Sequence, residues 1–169
     1  LAAGRIGRWV QLSSAAVYGA VRSGRIIENS PLQPDSVYGG TKAESEALVR
    51  TAATSGGYGV TILRPSNIFG IGMPGTSLFK LFAMIDRGLF CFVGRPQATM
   101  NYVHVDNVAT ALVLCGSCDS ASGRIYNVSD QMPIEYLVAI VADEIGVRRP
   151  ALRLPEAPLR ILASILGKL

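Results

Sequence analysis

The chain has 169 residues, 49% of them hydrophobic and 17% charged, with a formal charge of +4. That length supports one domain with a real core, or part of a larger one, and the apolar richness points to strands buried on both faces. No apolar run approaches the roughly 18 residues of a membrane span, and the basic residues are scattered, which argues against a nucleic-acid surface.

Leu1 to Val10 lacks the apolar block of a secretory leader. The three cysteines, Cys91, Cys115 and Cys118, form no disulfide framework and favour a reducing compartment, the cytoplasm. Cys115-x-x-Cys118 has a redox or half-zinc spacing. With no second pair, and with the lone His104 too near in sequence, no metal site is expected. The two thiols read as small buried side chains near a helix end.

In chain order, Trp9–Leu12 reads as a strand and 20–37 as a loop holding Gly24, Pro31, Pro34 and Asp35. The spacing predicts a helix over 38–54. Ala43, Ala47, Leu48 and Thr51 fall on one face, and Glu44, Glu46 and Arg50 on a polar one. Gly56-Gly57 ends it. Tyr58–Leu63 is a β-branched strand, stopped by Arg64-Pro65, and 70–75 is a loop. A helix over 77–87 and short strands over 90–93 and 100–105 follow, with Asp106 as N-cap of a helix over 107–115. A strand over 125–128, a helix over 133–145 and an amphipathic stretch over 158–169 complete the chain. Alternation at this spacing points to an α/β fold with a mostly parallel sheet.

The chemistry concentrates between Leu12 and Lys42. Tyr38 and Lys42 are four apart on the expected helix and share a face. An ammonium beside a phenol favours the phenolate, which can take a proton from a substrate hydroxyl as hydride leaves the same carbon. Ser14, at the end of the first strand, would hold and orient that hydroxyl.

Five segments occur in order: Ser-Ser-Ala-Ala-Val-Tyr-Gly (13–19), Tyr-Gly-Gly-Thr-Lys (38–42), Leu-Arg-Pro-Ser-Asn-Ile-Phe-Gly (63–70), Tyr-Val-His-Val-Asp-Asn-Val-Ala (102–109) and Ile-Tyr-Asn-Val-Ser-Asp (125–130). Together they resemble the extended short-chain dehydrogenase/reductase family, in its NAD-dependent epimerase/dehydratase branch acting on nucleotide sugars. The resemblance implies Ser14, Tyr38 and Lys42 as catalytic residues. It implies Tyr38, Lys42, Pro65 and Ser66 at the cofactor, and Ser14, Tyr18 and Asn67 at the substrate. Relatives place an Arg just before the aromatic at Tyr102. Here Thr99-Met100-Asn101 stands there, and Arg95 is the nearby replacement for a diphosphate contact. His104 has no catalytic part.

The resemblance further implies a partial Rossmann-like, doubly wound parallel sheet plus part of a smaller substrate-binding α/β region. Residues 1–70 would be the C-terminal half of the NAD-binding domain. Residues 71–169 would be mainly substrate-binding, with the chain returning to the Rossmann sheet near 100–130. NAD is the implied cofactor, a nucleotide-diphosphate sugar the implied partner, and a homo-oligomer the implied assembly. The family's Gly-x-x-Gly-x-x-Gly turn, which brings backbone N–H groups onto the pyrophosphate, has no match in this sequence. The chain therefore reads as the middle and rear of such an enzyme, without activity by itself. Two other readings stand beside it: an NADP-dependent reductase of carbonyls or hydroxysteroids, and a truncated, self-associating or binding protein without catalysis.

Overall fold

The computed structural model describes residues 6–21, 24–73, 77–96 and 98–158. In chain order the elements are β1 (Arg8–Leu12), a 3-10 turn (Ala15–Tyr18), α1 (Val37–Gly56), β2 (Gly59–Pro65), β3 (Asn67–Phe69), α2 (Ser77–Asp86), β4 (Phe92–Val93) and β5 (Thr99–His104). Then come α3 (Val105–Ser117), a second 3-10 turn (Asp119–Ala121), β6 (Ile125–Val128), β7 (Asp130–Pro133), α4 (Ile134–Ile145) and β8 (Arg153–Leu154). They divide into two compact units, Leu1–Ile71 with Asn101–Asp130, and Gly72–Met100 with Gln131–Leu169.

The first unit is built on a parallel sheet in the order β1-β2-β6. Central β2 is buried along nearly its whole length, so its side chains feed two cores rather than alternating core with solvent. Ile62 packs with Val49, Ala53 and Val60, the α1 side. Its neighbour Leu63 packs with Val108, Ala111, Leu112 and Cys115 of α3. Successive strand residues point to opposite faces, so α1 and α3 cover opposite faces of the sheet. Arg8 ties the two ends of this unit together. Its guanidinium donates to the carbonyls of Gly116 (3.0 Å) and Cys118 (2.8 Å) and to Asp119 Oδ1 (2.6 Å). A cation at a helix C-terminus satisfies carbonyls that have no partner within the helix.

In the second unit, α2 and α4 pack around Ile85, Phe92, Val138, Val141 and Ala142. Short β4 and β8 pair in parallel beside them. Arg153 lies over the Phe92 ring at 4.8 Å and donates to Glu135 Oε1 at 2.5 Å. Gly146, in the left-handed region at φ 78°, closes α4.

Four sequence expectations change. Arg64-Pro65 does not stop the strand: β2 runs through both, and the ladder continues from Ser66 N to Val128 O at 2.9 Å. Pro65 is tolerated because it ends the strand. A further strand, β3, pairs with β5 (Asn67↔Tyr102) where no strand was expected. The N-cap of α3 is His104, not Asp106. His104 Nδ1 accepts from Asp106 N at 3.3 Å. The face of α1 is also rotated. Leu48 is 70% exposed, whereas Glu46 is 2% exposed and sits in the seam with Gly39 and Ala53. The amphipathic stretch expected over 158–169 lies, beyond Pro158, outside the described residues.

Candidate active site

β1, β2 and β6 run parallel, so their carboxyl ends share one edge of the sheet. Ser14 follows β1 there, Pro65 and Ser66 close β2, and Asn127 and Val128 close β6. This edge is where an open parallel sheet forms its ligand crevice. Ser14 is the N-cap of the first 3-10 turn, its Oγ accepting from Ala16 N at 3.2 Å. Among the described residues no group accepts the Ser14 proton, so the hydroxyl remains a donor.

α1 delivers Tyr38 and Lys42 to the same edge. Ser36 caps the helix by accepting from Gly39 N at 3.1 Å. Lys42 Nζ donates to Leu12 O at 3.1 Å, the last carbonyl of β1, and lies 5.8 Å from the centre of the Tyr38 ring. Tyr38 itself is 57% exposed. The first turn of α1 sits close to the Ser14 turn because position 39 is glycine. A Cβ there would stand 2.5 Å from Ala16 O and 3.1 Å from Pro34 Cβ. Gly39→Ala adds helix propensity of about 1 kcal/mol, but overpacking against fixed backbone costs about 1–3 kcal/mol. A net loss of stability is therefore expected in urea unfolding, and a stabilised Gly39→Ala chain would refute the close approach.

Beneath this edge lies a buried network that pattern reading missed. Arg64 is 3% exposed and forks onto Glu46, Nε to Oε1 at 2.9 Å and Nη2 to Oε2 at 2.6 Å. Its Nη1 donates to the Tyr18 hydroxyl (2.7 Å) and to Glu28 O (3.1 Å). Tyr18 in turn donates to Asn127 Oδ1 at 2.8 Å, and Asn127 N donates to Glu28 Oε1 at 2.9 Å. One guanidinium thus joins β2, α1, the Ser14 turn and the 20–36 loop, and reaches β6 through Tyr18. Burial opposes the Arg64 charge, but the bonds from Glu46 and Tyr18 outweigh it and hold its pKa above the ordinary value. The Asn127 amide draws the Glu28 carboxyl below the usual carboxylate range. A signal was available in the sequence. An Arg inside the strand Thr-Ile-Leu-Arg-Pro must find a carboxylate when that strand is buried on both faces, and Glu46 lies four residues after Lys42 on one helix face.

The structure brings Ser14, Tyr38, Lys42, Pro65 and Ser66 to one edge. Tyr18 is placed under it rather than on it, 3% exposed and with its hydroxyl committed to Arg64 and Asn127. Asn67 opens β3 and is exposed. Arg95 belongs to the second unit, exposed in the turn after β4, with its carbonyl accepting from Arg153. Two hydroxyls at the carboxyl edge, Ser13 Oγ and Ser66 Oγ, are shielded from solvent and have no hydrogen-bond partner. Such orphaned groups fit a site built to receive a polar ligand.

The parallel α/β unit carries Ser14, Tyr38 and Lys42 toward the carboxyl edge of its sheet. The family model described as "NAD dependent epimerase/dehydratase family" matches residues 1–129, and the chain belongs to that family. The chain is 31% identical over 180 residues to short-chain dehydrogenase/reductase family 42E member 1 of Mus musculus, covering 92% of this chain and 45% of that protein. It is 28% identical over 169 residues to 3beta-hydroxysteroid-dehydrogenase/decarboxylase isoform 1 of Arabidopsis thaliana, covering 90% and 38%. Among solved structures, the dTDP-glucose 4,6-dehydratase DesIV of Streptomyces venezuelae, solved with NAD bound, matches with a TM-score of 0.65 and 27% identity, over 89% of this chain and 48% of that one. The chain thus spans less than half the length of these two curated relatives. Among the described residues, no helix is long and apolar enough to cross a membrane.

Proposed function

We propose that these residues form the catalytic half of an NAD-dependent enzyme that moves hydride to and from a hydroxyl-bearing carbon of a nucleotide sugar. The observation that carries this is the meeting of Ser14, Tyr38 and Lys42 at the end of β1. NAD, when bound, supplies the hydride acceptor. Ser14 donates to the substrate hydroxyl and orients it, and Tyr38 takes that hydroxyl's proton. Lys42, held by Leu12 O and 5.8 Å from the centre of the Tyr38 ring, would bond the cofactor ribose. Pro65 and Ser66 line the nicotinamide side, and the orphaned Ser66 hydroxyl suits its polar groups. Asn67 is the candidate substrate contact of this unit, with Tyr18 supporting the edge from below, and Arg95 is the candidate diphosphate contact of the second unit.

A second reading, a hydroxysteroid dehydrogenase, is favoured by the similarity to the 3beta-hydroxysteroid-dehydrogenase/decarboxylase of Arabidopsis. The proton chemistry is the same and only the substrate differs. The two separate in one assay on a chain that unites these residues with the family's glycine-turn half. NADH absorbance would be followed with UDP- and dTDP-sugars and with 3β-hydroxysteroids. Cofactor reduction or sugar epimerisation with nucleotide sugars alone supports the first reading, and reduction with steroids alone overturns it in favour of the second.

The 169-residue chain itself lacks the pyrophosphate turn, so we expect calorimetry to show no micromolar affinity for NAD. Micromolar binding would overturn its inactivity as an isolated polypeptide. Self-association belongs to the same reading. β1 is the outer strand of its sheet, with Ile6, Trp9 and Leu12 at least a third exposed, and an open strand edge invites pairing. Sedimentation of the same sample should show a dimer or larger species, and a monomer at high concentration would refute it.

A further inference from the structure

We propose that Cys115 and Cys118 are a reversible redox pair, closed into an intramolecular disulfide by exchange with a low-molecular-weight disulfide. Cys115 lies in the last turn of α3 and Cys118 is its C-cap. The two intervening residues are helical, so the Cα atoms stand about 5 Å apart by helix geometry. That falls within the span of about 4.4–6.8 Å that a disulfide bridges. Both residues line one cleft of about 380 Å³, together with Leu63, Ala111, Tyr126 and Val128. The two residues therefore border one largely apolar space.

The backbone that sets their separation is pinned. Arg8 holds the carbonyl of Gly116, between the two cysteines, and the carbonyl of Cys118 itself. This clamp reaches across from β1 and fixes the backbone between and at the two cysteines. The cleft lies on the α3 face of the sheet, opposite α1 with Tyr38 and Lys42.

Exposure assigns the two roles. Cys118 is exposed and Cys115 is buried. Burial, and then the neighbouring Cys118, push the Cys115 thiol up, which makes it the poorer attacking group. The Cys118 thiolate attacks the small disulfide, releasing one thiol and forming a mixed disulfide. Cys115 then gives up its proton and attacks the Cys118 sulfur, releasing the second thiol. Two protein thiols become one disulfide, and one small disulfide becomes two thiols.

The test is intact mass and peptide mapping of the full chain after incubation with oxidised glutathione and an acid quench. The expected product is lighter by two hydrogens, carries a Cys115–Cys118 bond, and leaves only Cys91 open to alkylation. Cys115→Ser should stop at the mixed disulfide, heavier by one glutathione, and Cys118→Ser should form no internal bond. Arg8→Gln should slow closure several-fold. A wild-type chain that stops at the mixed disulfide, or stays fully reduced, overturns the proposal. Closure of Arg8→Gln at the wild-type rate overturns the role given to the clamp.

Discussion

Arg64→Met is expected to destabilise the chain by about 3–5 kcal/mol, the cost of breaking one side of a buried ion pair. That is a large part of the roughly 5–15 kcal/mol that keeps a domain folded. The loss arises mainly at Glu46, which would keep a buried carboxylate without the two guanidinium bonds that now satisfy it. Tyr18 and Glu28 O would each lose a donor as well. Replacing both partners, Glu46→Met with Arg64→Met, should recover most of the loss, since no charge is then stranded. Arg64→Lys should fall between, because an ammonium cannot reproduce the planar fork. Urea unfolding of the four chains checks this. A single Arg64→Met loss under about 1 kcal/mol would mean that the pair is solvated like a surface bridge.

Tyr38→Phe, made in a chain that unites this half with the family's glycine turn, is expected to lower turnover by about 10²–10⁴-fold, the range for losing a positioned acid–base group. Substrate binding should change little, because the ring and its place on α1 remain and only the hydroxyl is lost. The loss should therefore fall on kcat rather than KM, as for an interaction made in the transition state. Steady-state kinetics with parallel calorimetry separates the two. Turnover near that of the parent would assign the base elsewhere.

The two expectations rest on neighbouring parts of α1, and their legibility in sequence differed. Tyr38 and Lys42 were visible because they depend on spacing along one helix and on a hydroxyl at the end of a strand. Glu46 was placed on the wrong face because an apolar seam was assumed to exclude charge. The seam in fact runs Gly39, Glu46, Ala53, and it admits a carboxylate only because Arg64 faces it from β2. Arg64-Pro65 reads as a stop in sequence because proline removes a ladder donor. Tyr18 was read as a substrate contact, whereas its hydroxyl is used by Arg64 and Asn127, partners 46 and 109 residues away in sequence.

The sequence by itself determined the alternation of strand and helix, the helix ends at Gly57 and Gly146, and the residue types of the candidate triad. These follow from local periodicity and backbone preference, which act over a few residues. Only the tertiary structure decided which face of α1 is buried, that β2 continues through Pro65, and that one guanidinium fastens four segments beneath the site. The physical reason is desolvation. Whether a charge belongs in a core depends on the partner that meets it there, and that partner is brought by the fold from a distant part of the chain.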